Sequence, residues 1–252
     1  MRDYYRASEN YAVWAKHIFP ASEAARREKI HRPWLERILD ACQRHQVPRD
    51  TLIEIGPGFG TIASLASASG AFRQVLAVEP TPDLAAAGRA RGVAVVEKRI
   101  EDIDPDELPP ADVIVAFEVI EHLFDPGAFL AGIRPRLRAG GLLVLSCPNG
   151  QGFDIAMLGA HSLAVDAEHV NLFNPQALAV LLQRQQFSVI EIGTPGRLDA
   201  EFVRAAALNG VIDLDPFLRR VLIDEWERLG WPFQQFLAAQ GLSSHMWAVA
   251  RA

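Results

Sequence analysis

The chain has 252 residues, half of them hydrophobic and 22% charged, with a formal net charge of −6. That length can bury a sizeable core, and the acidic balance gives no general attraction to a phosphate backbone, so no nucleic-acid partner is expected. Cys42 and Cys147 are too few for a disulfide framework and match no zinc-ligand spacing, and no apolar run reaches the length of a membrane span.

The N-terminus, MRDYYRASEN, lacks the apolar core of a signal peptide, so a cytoplasmic protein is expected. Residues 1–48 read as a helical extension. Tyr4, Tyr5, Tyr11, Trp14 and Phe19 make its first part aromatic, able to pack on the core or to close as a lid. Ile30, Trp34, Ile38 and Leu39 then recur near helical spacing, with an interruption at Pro33. From Thr51 the pattern changes to short apolar runs alternating with helical stretches. The strands are TLIEIG, QVLAVEP, VAVVEKR, ADVIVAF and GGLLVLSCP; FLAGIRPRLRAG is the helix before the fifth, with Arg134, Arg136 and Arg138 as solvated cations at its end. Near-continuous Val/Ile/Leu runs separated by helices predict a doubly wound, Rossmann-like α/β core with a parallel sheet covered on both faces. A polar loop over 149–172, a helix through PQALAVLLQRQ and a strand FSVIEIG follow. A helical insertion over about 197–242 precedes a closing strand in SSHMWAVARA. Residues 49–252 thus form one domain behind the extension.

LIEIGPGFGT places Glu54, Gly56, Gly58 and Gly60 where the first strand turns into the first helix. Glycine there permits a tight turn and a close approach of backbone to a ligand. The dinucleotide fingerprint would need glycine at Thr61, so the register is wrong for NAD. Glu79 ends the second strand, where a carboxylate can accept from both hydroxyls of a ribose.

With this loop, this acid and this strand order, residues 50–193 resemble the class I S-adenosylmethionine-dependent methyltransferases. The resemblance implies a seven-stranded sheet with a reversed last strand. It implies that the glycine loop faces the methionine part of the cofactor and that Glu79 holds the ribose. The backbone of Ile100 and the side chain of Glu101 would hold the adenine, with Asp102 and Asp104 as rivals, and Phe117 would line the site.

FEVIEHLFDP follows the fourth strand, with Glu118, Glu121 and His122 spaced to share one face of a helix. FEVIEH, with DAEHVNLFNP further on, is similar to two methyltransferase branches: the O-methyltransferases of ubiquinone biosynthesis and the enzymes that 2′-O-methylate the terminal ribose of small RNAs. The second resemblance implies a divalent cation, Mg or Mn, held by Glu118, Glu121, His122 and His169. His161 is a rival to His169. Glu118, His122 and His169 are the catalytic candidates; the metal-free alternative makes His122 a general base, with Glu121 a helix-start cap. His17, His31, His45 and His245 are read as structural.

The expected activity is therefore O-methylation. The aromatic N-terminal stretch resembles that of methyltransferases of bacterial surface-polysaccharide synthesis. This implies a sugar hydroxyl on a nucleotide- or lipid-linked glycan as acceptor, ahead of a catechol- or quinone-type small molecule. Phe202, Leu208, Phe217, Trp226, Trp231 and Phe236 in the helical insertion either shape the acceptor pocket or form a homodimer face. A nicotinamide oxidoreductase and a degenerate, non-catalytic partner subunit are the other classes.

Overall fold

The computed structural model describes residues 19–252; the expectations for Tyr4, Tyr5, Tyr11, Trp14 and His17 lie outside them. In chain order the main elements are α1 (Phe19–Arg26), α2 (Arg32–Arg44), β1 (Thr51–Ile55), α3 (Thr61–Ser69), β2 (Gln74–Val78), α4 (Pro82–Ala90), β3 (Ala94–Val96), β4 (Ala111–Phe117), α5 (Pro126–Ile133), β5 (Leu137–Pro148), α6 (Phe153–Leu158), α7 (Pro175–Arg184), β6 (Ser188–Gly193), α8 (Asp199–Leu208), α9 (Pro216–Arg219), α10 (Trp226–Ala239) and β7 (His245–Arg251). The strands form a seven-stranded sheet in the order β3-β2-β1-β4-β5-β7-β6. Two compact units divide the chain: the described residues up to Ala116 with Ala131–Val144 and Ala252, and Phe117–Leu130 with Leu145–Arg251.

In the first unit β1 pairs in parallel with β2 and with β4, and β2 with β3. All residues of β1 and β4 are buried, which is why their sequences are apolar almost throughout rather than alternating. Pro33 does not interrupt the N-terminal helix. It sits in the first turn of α2, directly after the π-helical turn Arg27–His31.

The reading of the arginines at 134–138 is corrected. α5 stops at Ile133, a 3₁₀ turn carries Pro135, and β5 already begins at Leu137. Arg138 is therefore on a strand and donates to the buried Asp112 at 2.6 Å, while the second oxygen of Asp112 accepts the N–H groups of Asp50 and Thr51. Arg136 donates to the carbonyls of Gly132 and Ile103. These cations tie the unit together through buried or backbone acceptors.

In the second unit β7 runs antiparallel to β6, with a register shift between Val189 and Glu191. The segment 149–172, expected as a loop, contains α6 and a 3₁₀ turn, Gly159–His161. Asn174 is the N-cap of α7, its side chain accepting from Ala177 N–H at 2.8 Å. Leu158, Ala200, Val203, Val221 and Leu222 form a core between α6 and the helices before β7. Buried Asp199 accepts from Gln234 at 2.6 Å and from Ser243 at 2.5 Å, which fixes α8 to α10 and to the approach to β7. No described helix is long and apolar enough to cross a membrane.

Candidate functional site

The glycine loop of the first unit is built from three left-handed residues: Gly56, Gly58 and Gly60 have φ of 65°, 54° and 72°. Two of them do different work. A Cβ on Gly60 would lie 3.1 Å from the Cα of Gly88, so this glycine lets α3 and α4 approach. A Cβ on Gly58 would meet nothing within 4 Å, so the loop borders open space there. Gly60 is also the N-cap of α3 and has no side chain to cap it. Glu54 does this instead, accepting Ala63 N–H at 2.7 Å from inside the core. Burial pushes the Glu54 carboxyl up to about 8; the Ala63 hydrogen bond opposes this and the charge of Glu79 adds to it. Expected to face the cofactor, Glu54 is buried as the cap of α3.

Glu79 is also buried. It accepts Thr81 N–H at 2.9 Å and is further held by the Thr81 side chain and the backbone of Gly58. Burial raises its pKa above the ordinary value and these hydrogen bonds counter the shift. With about four lone-pair sites a carboxylate retains capacity for a further donor. Beyond β3, Ile100 is buried in a 3₁₀ turn and Glu101 is exposed. Asp102 accepts twice from Arg99 at 2.7 Å, and Asp104 caps the next turn, so both rivals for the adenine are engaged locally.

In the second unit Phe117 is buried and stacks on Trp247, with centroids 5.2 Å apart, so its ring belongs to the core. Glu118, Glu121 and His122 do not share a helix face. Glu118 has φ of 54°, outside any helix, and only Ile120–His122 forms a 3₁₀ turn. Ser146 Oγ donates to Glu118 Oε1 at 2.7 Å, and His245 Nδ1 lies 3.6 Å from the same oxygen.

Glu121, His122 and His169 come together instead, each offering a ligand atom within 4.8 Å of the others. The two rings lie 4.7 Å apart. His122 Nδ1 is 3.0 Å from the carbonyl of Glu168, and His169 Nδ1 is 2.9 Å from that of Ala164. A carbonyl only accepts, so both Nδ1 atoms carry a proton, and His122 Nε2 lies 3.9 Å from Glu121 Oε1. This is the outer-sphere arrangement that orients metal-ligating histidines. Asp166 holds the loop by accepting the N–H groups of Glu168 and His169. Asn171 joins it to the acidic turn by donating to the carbonyls of Glu121 and Leu123.

Glu121 is 0% exposed, and neither carboxylate oxygen has a hydrogen-bond partner among the described residues. Burial holds its pKa well above the usual range and the charge of Glu118 adds to this. Burial also lowers the pKa of His122, and His169 reinforces the shift. His161 is exposed in its 3₁₀ turn and is not part of the group. Phe124, two residues after His122, and Val170, next to His169, present large apolar side chains to solvent, 58% and 43% exposed. The sequence gives no sign of Ser146 here, and His245, expected to be structural, lies near Glu118, because only folding of β5 and β7 brings them there.

The family profile described as a methyltransferase domain matches residues 24–192. The chain belongs to this methyltransferase family. The ubiquinone biosynthesis O-methyltransferase of Bradyrhizobium sp. (strain ORS 278) is 35% identical over 117 residues, 43% of this chain and 45% of that one. The "Probable S-adenosylmethionine-dependent methyltransferase" of Mycobacterium tuberculosis is 38% identical over 120 residues, 42% of each chain. The aligned part thus spans less than half the length of these curated relatives. In fold, the methyltransferase complexed with the Haloferax volcanii Trm112 methyltransferase activator matches 98% of this chain and 99% of its own, with a TM-score of 0.64 at 13% identity. Haemonchus contortus phosphoethanolamine N-methyltransferase 2, solved with S-adenosyl-L-methionine, matches 80% of this chain and 48% of its own, with a TM-score of 0.54 at 16% identity.

Proposed function

We propose that the protein is an S-adenosylmethionine-dependent O-methyltransferase that binds its acceptor beside a divalent metal ion held by Glu121, His122 and His169. The observation that carries the metal is Glu121. A fully buried acid whose oxygens accept no hydrogen bond is costly, and two imidazoles each offer a nitrogen within 4.8 Å of it. A cation would answer all three groups. With Glu118 engaged by Ser146, the donor set is one carboxylate and two imidazoles, which suits a first-row transition ion such as Mn better than Mg. Such an ion lowers the pKa of an oxygen bound to it.

For the methyl donor, the family, the left-handed glycine loop with open space at Gly58, and buried Glu79 support the reading. The donor supplies an activated methyl group and leaves as a thioether. The chain's own residues bind and align: Glu79 takes ribose hydroxyls, the loop backbone admits the chain of the donor, and Glu101 is the acid placed for the adenine.

The name of the Bradyrhizobium relative favours a phenolic acceptor, and the exposed Phe124 and Val170, beside His122 and His169 in the chain, offer apolar surface to it. We therefore place a catechol- or quinone-type phenol ahead of the sugar hydroxyl, whose support came from aromatic residues outside the described part. The test is calorimetry with S-adenosylhomocysteine and NAD, followed by radiolabelled transfer to catechol, sugar and lipid-linked acceptors with Mn, with Mg or with chelator. Binding of S-adenosylhomocysteine but not NAD, and Mn-dependent transfer to the phenol, are expected. A rate untouched by chelation removes the metal, and transfer to sugars alone removes the phenol.

A further inference from the structure

We infer that Arg91 is a positioning residue that couples the N-terminal extension to the glycine loop, so that docking of α1 raises donor affinity and donor binding in turn holds α1 down. This coupling rests on the donor reading above and is independent of the metal. Arg91 is the C-cap of α4. Its guanidinium ion-pairs with Glu23 of α1 and donates to Thr61 Oγ1 at 3.3 Å. Thr61 is buried and is the first residue of α3, directly after Gly60. One side chain therefore spans from the extension to the end of the glycine loop.

On the loop side the bridge stands on packed backbone. A Cβ on Gly60 would lie 3.1 Å from the Cα of Gly88, and Arg91 N–H donates to the Gly88 carbonyl at 3.0 Å. The last turn of α4 thus meets the loop at two neighbouring points, Gly88 against Gly60 and Arg91 against Thr61. On the other side Arg91 holds α1 through the Glu23 carboxylate, and both side chains are partly open to water, 26% and 28% exposed.

The surroundings make that carboxylate decisive. His31 is buried in the π-helical turn after α1, and the charges that bear on it are those of Arg26, Arg27, Arg91 and Glu23. Glu23 is the acid set among three cations, so removing it turns the attraction between α1 and Arg91 into repulsion from Arg26 and Arg27. The π turn and α2 both pack on α3, so the extension already lies along the helix whose first residue Arg91 holds. A donor that orders the glycine loop orders Thr61 with it, and Arg91 carries this to Glu23. Coupling of this kind is reciprocal: whatever factor α1 adds to donor affinity, the donor adds to the docking of α1.

The experiment uses the full chain, calorimetry with S-adenosylhomocysteine, and hydrogen exchange of the amides of residues 23–31. In wild type, saturating S-adenosylhomocysteine is expected to slow exchange there at least about fivefold, the low end of coupling between sites. Arg91→Ala is expected to weaken S-adenosylhomocysteine about fivefold and to bring this protection to within about twofold of none. Glu23→Arg should do the same. Glu23→Arg combined with Arg91→Glu should return both readouts to within about twofold of wild type, because the pair is reversed and the Thr61 hydroxyl can donate to a carboxylate. Thr61→Val, which keeps the shape and removes the acceptor, should abolish the protection while leaving exchange in the ligand-free chain within about twofold of wild type. A residue that only stabilises the fold would lower the melting temperature and leave the ligand-dependent protection in place. The coupling is overturned if Arg91→Ala keeps that protection, or if the reversed pair behaves no better than either single change. It is also overturned if wild type binds S-adenosylhomocysteine with no change at residues 23–31. A wild type that does not bind it at all counts instead against the donor reading, and calorimetry tells the two apart.

Discussion

Glu79 and Glu121 are both buried glutamates, one in each unit, and they differ in how the chain answers them. Glu79 receives the backbone N–H of Thr81 and contacts from Gly58, so the loop that would carry a ligand also satisfies the acid. Glu121 has burial without hydrogen bonds, beside two imidazoles whose protons are turned away toward carbonyls. Burial alone therefore does not mark a site. An acid completed by backbone N–H groups, as Glu54 and Glu79 are, signals no ligand by its burial; an acid whose oxygens accept no hydrogen bond, beside two imidazoles, is what motivates the metal proposal.

The sharpest way to break this comparison is at Glu121. Glu121→Gln, or chelation, should lower methyl transfer by at least about 100-fold, since even outer-sphere partners of metals cost roughly 10- to 100-fold. Without metal the variant should melt no lower than wild type, because it removes a buried acid whose oxygens accept no hydrogen bond. Adding Mn should then raise the melting temperature of wild type and not of Glu121→Gln. Thermal shift with and without Mn checks both, and a stabilisation by Mn that survives in the variant would falsify the assignment.

In the other unit, Glu79→Ala should weaken S-adenosylhomocysteine by about 10- to 100-fold, the value of one or two hydrogen bonds to a charged acceptor. The Mn shift should remain. If both ligands weaken together, the two acids are not the separate devices their surroundings indicate. Smaller again is the contrast within the glycine loop. Gly60→Ala sets a Cβ 3.1 Å from Gly88 at φ of 72°, and should cost about 1–2 kcal/mol of folding stability. Gly58→Ala carries a similar backbone penalty but adds its methyl to open space, so its donor affinity should fall further than its stability. Denaturant melts and calorimetry on the pair separate packing from binding.

Much of the first unit was legible because its signals are local. The strand-to-helix junction at 52–61 is one continuous stretch, and Glu79 sits at a strand end that hydrophobic patterning locates. The second unit is different. Glu118, Glu121 and His122 suggested a helix face by spacing, yet Glu118 is left-handed and only Ile120–His122 forms a 3₁₀ turn. What assembles there depends on a loop folding back through Asp166 and Asn171, and on β5 and β7 delivering Ser146 and His245. Arg138 failed for a related reason: its partner Asp112 is a buried strand residue, and sequence spacing does not reveal which strand will lie beside which.

Titration separates the two kinds of buried acid by the smallest expected effect. The Glu54 carboxyl stands at about 8 in the folded chain, against 4.5 ordinarily. Between these values the folded state binds more protons than the unfolded one. Its contribution to stability is therefore complete below about 4.5 and is lost as pH rises through about 8. Glu54→Gln keeps an oxygen for Ala63 N–H and cannot ionise, so stability should fall less steeply over that window. Glu121, also raised, contributes a slope of the same sign, but one that a bound cation should cancel by favouring the carboxylate. Mn should thus flatten the part that Glu54→Gln leaves behind and leave the Glu54 part in place. Melting curves across pH for both chains, with and without Mn, decide it: a slope unaffected by either change would mean that neither buried acid stays protonated in the fold.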